Sequence, residues 1–74
     1  MSYLPVISGK ECVSALEKVG FYVKRQSGSH IIMRREDPFS QVTIPNHKTL
    51  DRGTLFNIIR CADLTVNEFK ELIK

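Results

Sequence analysis

The sequence predicts an α+β fold in which one helix, three antiparallel strands and two further helices follow one another in the order αβββαα. The helices are predicted because apolar residues recur at helical spacing in three segments, each preceded by a residue that favours a helix start. The sheet is predicted because the middle of the chain alternates polar and apolar residues between turns rich in Gly, Ser and Pro. We expect the helices to cover one face of the sheet and residues 1–74 to form a single domain.

The first helix is predicted over residues 9–19, because Ser8 and Glu11 have the spacing of a capping box. In that motif the Ser8 hydroxyl accepts from the Glu11 backbone N–H, and the Glu11 carboxylate accepts from the Ser8 N–H. Gly20 follows where a left-handed residue ends many helices. The apolar stripe of this helix consists of Cys12, Val13, Ala15, Leu16 and Val19.

The central segment is predicted to form three strands. Residues 21–26 and 30–36 are rich in aromatic and β-branched residues and flank a Ser-Gly-Ser turn, which predicts a β-hairpin. A second turn at residues 37–40 leads to a third strand at residues 41–45. In the second strand, alternation places Ile31, Met33 and Arg35 on one face and His30, Ile32 and Arg34 on the other. His30 and Arg34 therefore share a face, provided that no bulge interrupts the strand.

The second helix is predicted over residues 52–62, with Asp51 as its N-cap. The third helix follows Thr65, which forms another capping box with Glu68, and runs to the end of the chain. The apolar positions of the two helices are Leu55, Ile58, Ile59, Ala62, Phe69, Leu72 and Ile73.

Composition excludes several classes of protein. No run approaches the roughly 18 apolar residues of a membrane span, and residues 1–8 lack the basic and apolar regions of a signal peptide. We therefore expect a cytoplasmic protein without membrane contact. Cys12 and Cys61 lie within apolar helical patterns with no His at metal-ligand spacing, so both are predicted to be buried free thiols.

The net charge of +3 lies entirely between residues 20 and 48, since the flanking segments are each neutral. Glu36 and Asp37 are the acidic residues there, and they are outnumbered by Lys24, Arg25, Arg34, Arg35 and Lys48. Such a basic segment predicts a polyanionic partner. Lys and Arg are also common on solvated strand surfaces, so charge alone leaves both interpretations open.

Gly28, Ser29 and His30 place an imidazole at the junction of a turn and a strand, inside this basic segment. Histidine has an ordinary pKa of about 6.5, so this residue type can accept a proton at cellular pH. Gly28 lets the backbone approach a phosphate closely, and Ser29 adds a small hydroxyl donor. The three residues suit a site that cleaves RNA, and by themselves they equally fit an ordinary turn.

Several short motifs stand together in one order along the chain: SGKE at 8–11, GF at 20–21, GSH at 28–30, IPNH at 44–47, GTL at 53–55 with II at 58–59, and TVNEF at 65–69. In these motifs the chain resembles HicA-like toxins of bacterial toxin–antitoxin pairs. The resemblance implies a fold similar to the double-stranded-RNA-binding domain, ribosome-independent cleavage of mRNA, His30 as the catalytic residue and a HicB-like antitoxin as partner. Arg52 stands where such toxins often have Pro, which at the first helical position only stiffens the helix start.

RNA carries its own nucleophile, so a cleaving protein need only take the proton of the 2′-OH and stabilise charge on the phosphate. We assign the base role to His30 and phosphate binding to Arg34, with Lys24 or Arg25 across the hairpin. His47 is the candidate for a second acid–base group, unless it closes a turn by hydrogen-bonding backbone. The rest of the predicted RNA-binding set is Gly28, Ser29, Arg35 and Lys48.

No cofactor or metal site is predicted, because Glu36 and Asp37 are adjacent in a turn and no other acidic residue falls in the sheet. Two alternatives lack nuclease activity. One is an RNA-binding module of the double-stranded-RNA-binding type, which usually carries a lysine-rich start to its last helix where this chain has the acidic TVNE. The other is an interaction protein that docks a partner through Tyr22, Ile32 and Phe39.

Overall fold

A computed structural model describes residues 4–73, and its elements follow one another in the predicted order αβββαα. In chain order they are α1 Gly9–Glu17, β1 Tyr22–Ser27, β2 His30–Glu36, β3 Phe39–Pro45, α2 Arg52–Cys61 and α3 Val66–Leu72. Between residues 4 and 73, no helix combines the length and the hydropathy that crossing a bilayer requires.

Each helix begins where the sequence predicts, because side chains satisfy the free N–H groups of its first turn. The Ser8 hydroxyl accepts from the Glu11 N–H at 3.1 Å, and the Glu11 carboxylate accepts from the Ser8 N–H at 2.9 Å. At the start of α3, Thr65 and Glu68 form the same reciprocal pair of hydrogen bonds. At α2 the Asp51 carboxylate accepts from the Thr54 N–H at 2.6 Å, which holds the pKa of Asp51 below its ordinary value.

Several boundaries differ from the prediction by one or two residues: β1 is Tyr22–Ser27 rather than 21–26, α2 ends at Cys61 rather than at residue 62, and the end of α1 and the start of β3 each move by two. Helix α1 ends at Glu17, because the N–H groups of residues 18–20 bond to carbonyls three residues back rather than four. Gly20 follows with a φ of 94°, a left-handed conformation as predicted. Strand β3 begins at Phe39 because the second turn contains only residues 37–38, so that pairing continues as far as Glu36 opposite Phe39.

The three strands form an antiparallel sheet in the order β1-β2-β3, with β2 in the centre. His30 is opposite Ser27 on one side and Pro45 on the other. The register between β1 and β2 shifts between Val23 and Arg25, which leaves Lys24 as an extra, bulged residue. Strand β1 forms one edge of the sheet, and every one of its residues is exposed.

The three helices pack on one face of the sheet, as predicted. That face contributes the buried side chains of Ile31, Met33, Val42 and Ile44, which meet Leu16, Leu55, Ile59 and Phe69 from the helices. Each such side chain stabilises the fold by about 1.5–3 kcal/mol relative to an exposed one. The opposite face of the sheet is left uncovered by the helices.

The prediction for the two cysteines is correct for one of them. Both thiols are free, and Cys12 is fully buried, which raises the pKa of its thiol to about 12. Cys61 is exposed, so the prediction that it is buried is wrong. The reason is its place on α2, because the stripe that faces the core consists of Leu55, Ile58, Ile59 and Ala62, and Cys61 lies beside that stripe.

Candidate functional site

The uncovered face of the sheet carries His30. Residues directly opposite one another in an antiparallel pair share a face, and alternate residues along a strand do so as well. The register therefore defines an outer face that consists of Tyr22, Arg25, Ser27, His30, Ile32, Arg34, Glu36, Phe39, Gln41, Thr43 and Pro45. The predicted placement of His30 and Arg34 on one face is confirmed, since Ile31 and Met33 between them point into the core.

The bulge in β1 determines the register position of Arg25 relative to His30. Arg25 is opposite Ile32 in the register, so it shares the outer face with His30. Lys24 is the bulged residue and has no partner in that register, although it is exposed. The sequence left Lys24 and Arg25 open as alternatives, and the register places Arg25 nearer in the ladder to His30.

His30 is exposed at the first position of β2, directly after the two-residue turn of Gly28 and Ser29. Gly28 has a φ of 60°, which a glycine adopts readily and which a tight hairpin turn requires. A Cβ at Gly28 would have no atom within 4 Å, so the backbone here is open to solvent on that side. The turn therefore presents the imidazole and an accessible stretch of backbone together.

The segment that contains His47 lies against the same end of the sheet. The Asn46 N–H donates to the Ser29 carbonyl at 2.6 Å, and His30 pairs with Pro45, two residues before His47. The backbone carbonyl of His47 accepts from the Gly9 N–H at 2.9 Å, while its side chain is exposed. The structure thus brings both histidine segments together.

Gly9 holds the start of α1 against this segment. A Cβ at Gly9 would overlap the Pro45 carbonyl oxygen and lie 3.1 Å from the Asn46 Cα, so only glycine allows this approach. As a result Ser8, Lys10, Asn46, His47 and Lys48 line a shallow cleft of about 290 Å³. Lys10 was not among the predicted site residues, although a glycine at the first position of a helix is compatible with such a close backbone contact.

The other end of the outer face carries an aromatic and polar cluster. The Arg34 Nε and Nη2 donate to the Gln41 Oε1 at 3.3 and 3.1 Å, and the guanidinium lies over the Phe39 ring, 5.3 Å from its centroid. The Tyr22 hydroxyl donates to a Glu36 carboxylate oxygen. That hydrogen bond raises the pKa of Tyr22 above its ordinary value.

Arg35 is not brought together with His30. Its Nε donates to the Pro38 carbonyl at 3.0 Å, and its guanidinium lies over the Phe21 ring, 4.8 Å from the centroid. Both contacts hold it on the side of the sheet that faces the helices. Among the side chains of residues 4–73, no three His, Cys, Asp or Glu come together in a way that could hold a metal ion.

The arrangement around His30 combines an exposed imidazole with guanidinium groups on the same face. An imidazole in such a position can take a proton from a hydroxyl group, and the cations on the same face can neutralise a bound phosphate. A polyanion that carries a hydroxyl group beside its phosphates would interact with both the imidazole and the cations.

Comparison with known proteins supports a specific family. No curated protein sequence matches the chain. A family model described as the HicA toxin of bacterial toxin–antitoxin systems matches residues 9–64, which is well over half of the chain. The match extends from the start of α1 to just beyond α2 and so includes His30, His47 and the whole sheet. The chain therefore belongs to the HicA toxin family of bacterial toxin–antitoxin systems.

Proposed function

We propose that this toxin is an endoribonuclease that cleaves cytoplasmic mRNA independently of the ribosome, with His30 as the general base. The observation that carries the proposal is the exposure of the His30 side chain on the outer face, which Arg25 and Arg34 share. Membership of the toxin family supports a harmful activity that an antitoxin must restrain. We propose that a HicB-like antitoxin supplies this restraint by covering His30.

The reaction needs no group that the chain lacks. The His30 imidazole takes the proton of the 2′-OH, and the oxygen then attacks the adjacent phosphorus. The bond from phosphorus to the 5′-oxygen breaks, which leaves a 2′,3′-cyclic phosphate on one product and a 5′-OH on the other. General-base assistance of this kind contributes typically about 10²–10⁴-fold to a rate.

Cations on the same surface bind the RNA backbone in this proposal. Arg25 is opposite Ile32, which is the next residue after His30 on the outer face of β2. Arg34 is four residues from His30 along β2, which corresponds to about 13 Å at roughly 3.3 Å per residue. Lys48 and Lys10 line the cleft beside His47, on the opposite side of His30. The open backbone at Gly28 leaves room for a phosphate to approach the turn that carries His30.

The leaving 5′-oxygen must receive a proton, and His47 is the proposed donor. Support comes from the pairing of its segment with the turn that carries His30. The backbone carbonyl of His47, rather than its ring, holds the segment to Gly9, which leaves the imidazole exposed for chemistry.

Induction of the chain in bacteria tests the proposed function. Wild-type protein is expected to arrest growth and to fragment mRNA, whereas a His30→Ala variant at the same level does neither. Arg60→Ala is the matched control, because Arg60 lies on α2 in the helical layer, and it is expected to remain toxic. Toxicity of the His30 variant equal to that of wild type would refute the assignment. Toxicity with intact mRNA would refute the nuclease function itself.

A further inference from the structure

Phe39 lies on the outer face with 63% of its surface exposed. An aromatic ring this exposed gains little stabilisation from burial, so packing does not account for its position. It is the first residue of β3, opposite Glu36, and therefore lies on the face that carries His30. The ring is therefore accessible to a ligand on this face.

The ring belongs to a fixed stack. The Arg34 guanidinium lies over it at 5.3 Å from the centroid, and the same guanidinium is anchored by two hydrogen bonds to Gln41. One face of the ring is thus occupied by a flat, charged group that is held in place. A flat ligand can lie against the other face without first ordering the side chains, which favours binding.

The polar groups around the stack differ from those around His30. Glu36 lies beside Phe39 and accepts from the Tyr22 hydroxyl. A carboxylate repels phosphate, but it accepts well from the amino groups of a nucleobase. The outer face therefore has His30 and Arg25 at one end, which suits the RNA backbone, and the Arg34–Phe39 stack with Glu36 at the other, which suits a base.

We propose that the Arg34–Phe39 stack binds one unpaired base of the RNA and that this base fixes where His30 cuts. The inference rests on the proposed function and adds a specificity site to it. Stacking of single-stranded bases on exposed aromatic rings beside cations is the common way in which proteins hold unpaired nucleic acid. An exposed aromatic patch could also dock the antitoxin, and the experiments below separate the two.

The chain contains no Trp, so Phe39→Trp introduces one tryptophan at the stack, whose emission is excited selectively over that of the two tyrosines. Phe56→Trp is a matched control, because Phe56 is 43% exposed, with the Arg60 guanidinium 5.9 Å from its ring centroid, but belongs to α2. Each variant is titrated with a short single-stranded RNA that is 2′-O-methylated throughout and cannot be cut. We expect the RNA to quench the emission of the Phe39→Trp variant and to leave that of the Phe56→Trp variant unchanged. Emission that stays constant for both variants, while labelled RNA shows that binding occurs, would overturn the proposal.

Cleavage of a randomised RNA pool provides the second arm, with Phe39→Ala and Phe56→Ala compared with wild type. Phe39→Ala is expected to broaden the distribution of cut sites and to raise KM roughly 10-fold, the effect of losing one stacked base. Phe56→Ala is expected to match wild type.

An unchanged set of cut sites in Phe39→Ala, with weaker antitoxin binding, would reassign the stack to protein docking. A wild-type chain that binds the methylated RNA but cuts none of the pool would instead refute the nuclease function, and the fluorescence titration would still decide the stacking site.

Discussion

His30 is accessible because it alternates along β2 with residues whose side chains are buried. Its neighbour Ile31 is buried in the core, and Met33 is fully buried two residues further on. A register slip of one residue would exchange the two faces and bury the imidazole. The alternation was visible in the sequence, so the shared face of His30 and Arg34 could be predicted, whereas the structure shows that this face is the exposed one.

His47 is expected to matter only for the departure of the 5′-oxygen. A His47→Ala variant should cleave ordinary RNA more slowly, because the leaving alkoxide receives no proton. An RNA with a bridging sulfur in place of the 5′-oxygen has a leaving group that needs none, so His47→Ala should cleave it as fast as wild type does.

His30→Ala provides the control for that rescue, because a sulfur leaving group does not replace the base. It should remain slow on both RNAs. If His47→Ala is equally slow on the two substrates, or is as fast as wild type on ordinary RNA, His47 is not the proton donor.

The surroundings of Arg35 and Cys61 could not be predicted from the sequence. Alternation placed Arg35 on the face of Ile31 and Met33, and charge alone placed it in the predicted RNA-binding set. Its guanidinium stacks on Phe21, which lies between α1 and β1. This contact depends on the path of the chain between the two elements, and the local sequence pattern does not predict that path. Cys61 fitted an apolar helical pattern, but which residues of α2 are buried depends on how the helix packs on the sheet.

At the scale of elements, the helix starts were the most predictable features and the junctions between elements the least. Capping boxes depend on residues only three apart, so they could be read from the chain. The bulge at Lys24 and the contact of Gly9 with Pro45 depend on residues that are distant in sequence. Both features arrange the site, since one orients Arg25 and the other seats the His47 segment.

Two glycines near helix starts are expected to respond in opposite ways to alanine. Gly9→Ala should lower the free energy of unfolding by about 1–3 kcal/mol, because its methyl group would overlap the Pro45 carbonyl oxygen. Gly53→Ala should raise it by about 0.4–1 kcal/mol, because its nearest neighbour is an Asp51 oxygen at an ordinary 3.8 Å and alanine restricts the unfolded chain.

Urea denaturation of both variants measures these changes. If the Gly9 variant is as stable as wild type, α1 does not lie against the end of β3 as described. If the two variants are destabilised equally, general helix effects rather than this contact are responsible.

At the scale of the whole molecule, one small core between the helices and one face of the sheet leaves the other face free for ligands. Cys12 lies fully within that core, and burial raises the pKa of its thiol from 9.0 to about 12. Between these values the unfolded chain loses the proton while the native chain keeps it. The contribution to stability is therefore complete below about pH 9 and falls by about 1.4 kcal/mol per pH unit as the pH rises towards 12.

Urea denaturation from pH 8 to pH 10.5 measures that slope. Cys12→Ala is expected to lose less stability above pH 9 than wild type, because it lacks the buried thiol. Cys61→Ala is the matched control and should follow wild type, since Cys61 is exposed. Parallel curves for all three proteins would mean that the Cys12 thiol does not titrate differently in the folded state.

Single-turnover cleavage of one defined RNA by purified wild type and His30→Ala tests the central claim most directly. The RNA is also prepared with a 2′-deoxy nucleotide at the cut site. We expect His30→Ala to be about 10²–10⁴-fold slower, and the deoxy RNA to resist wild type at that position, because the base and its 2′-OH act in one step. A His30→Ala rate within about twofold of wild type, well short of the effect of losing a general base, would contradict the account.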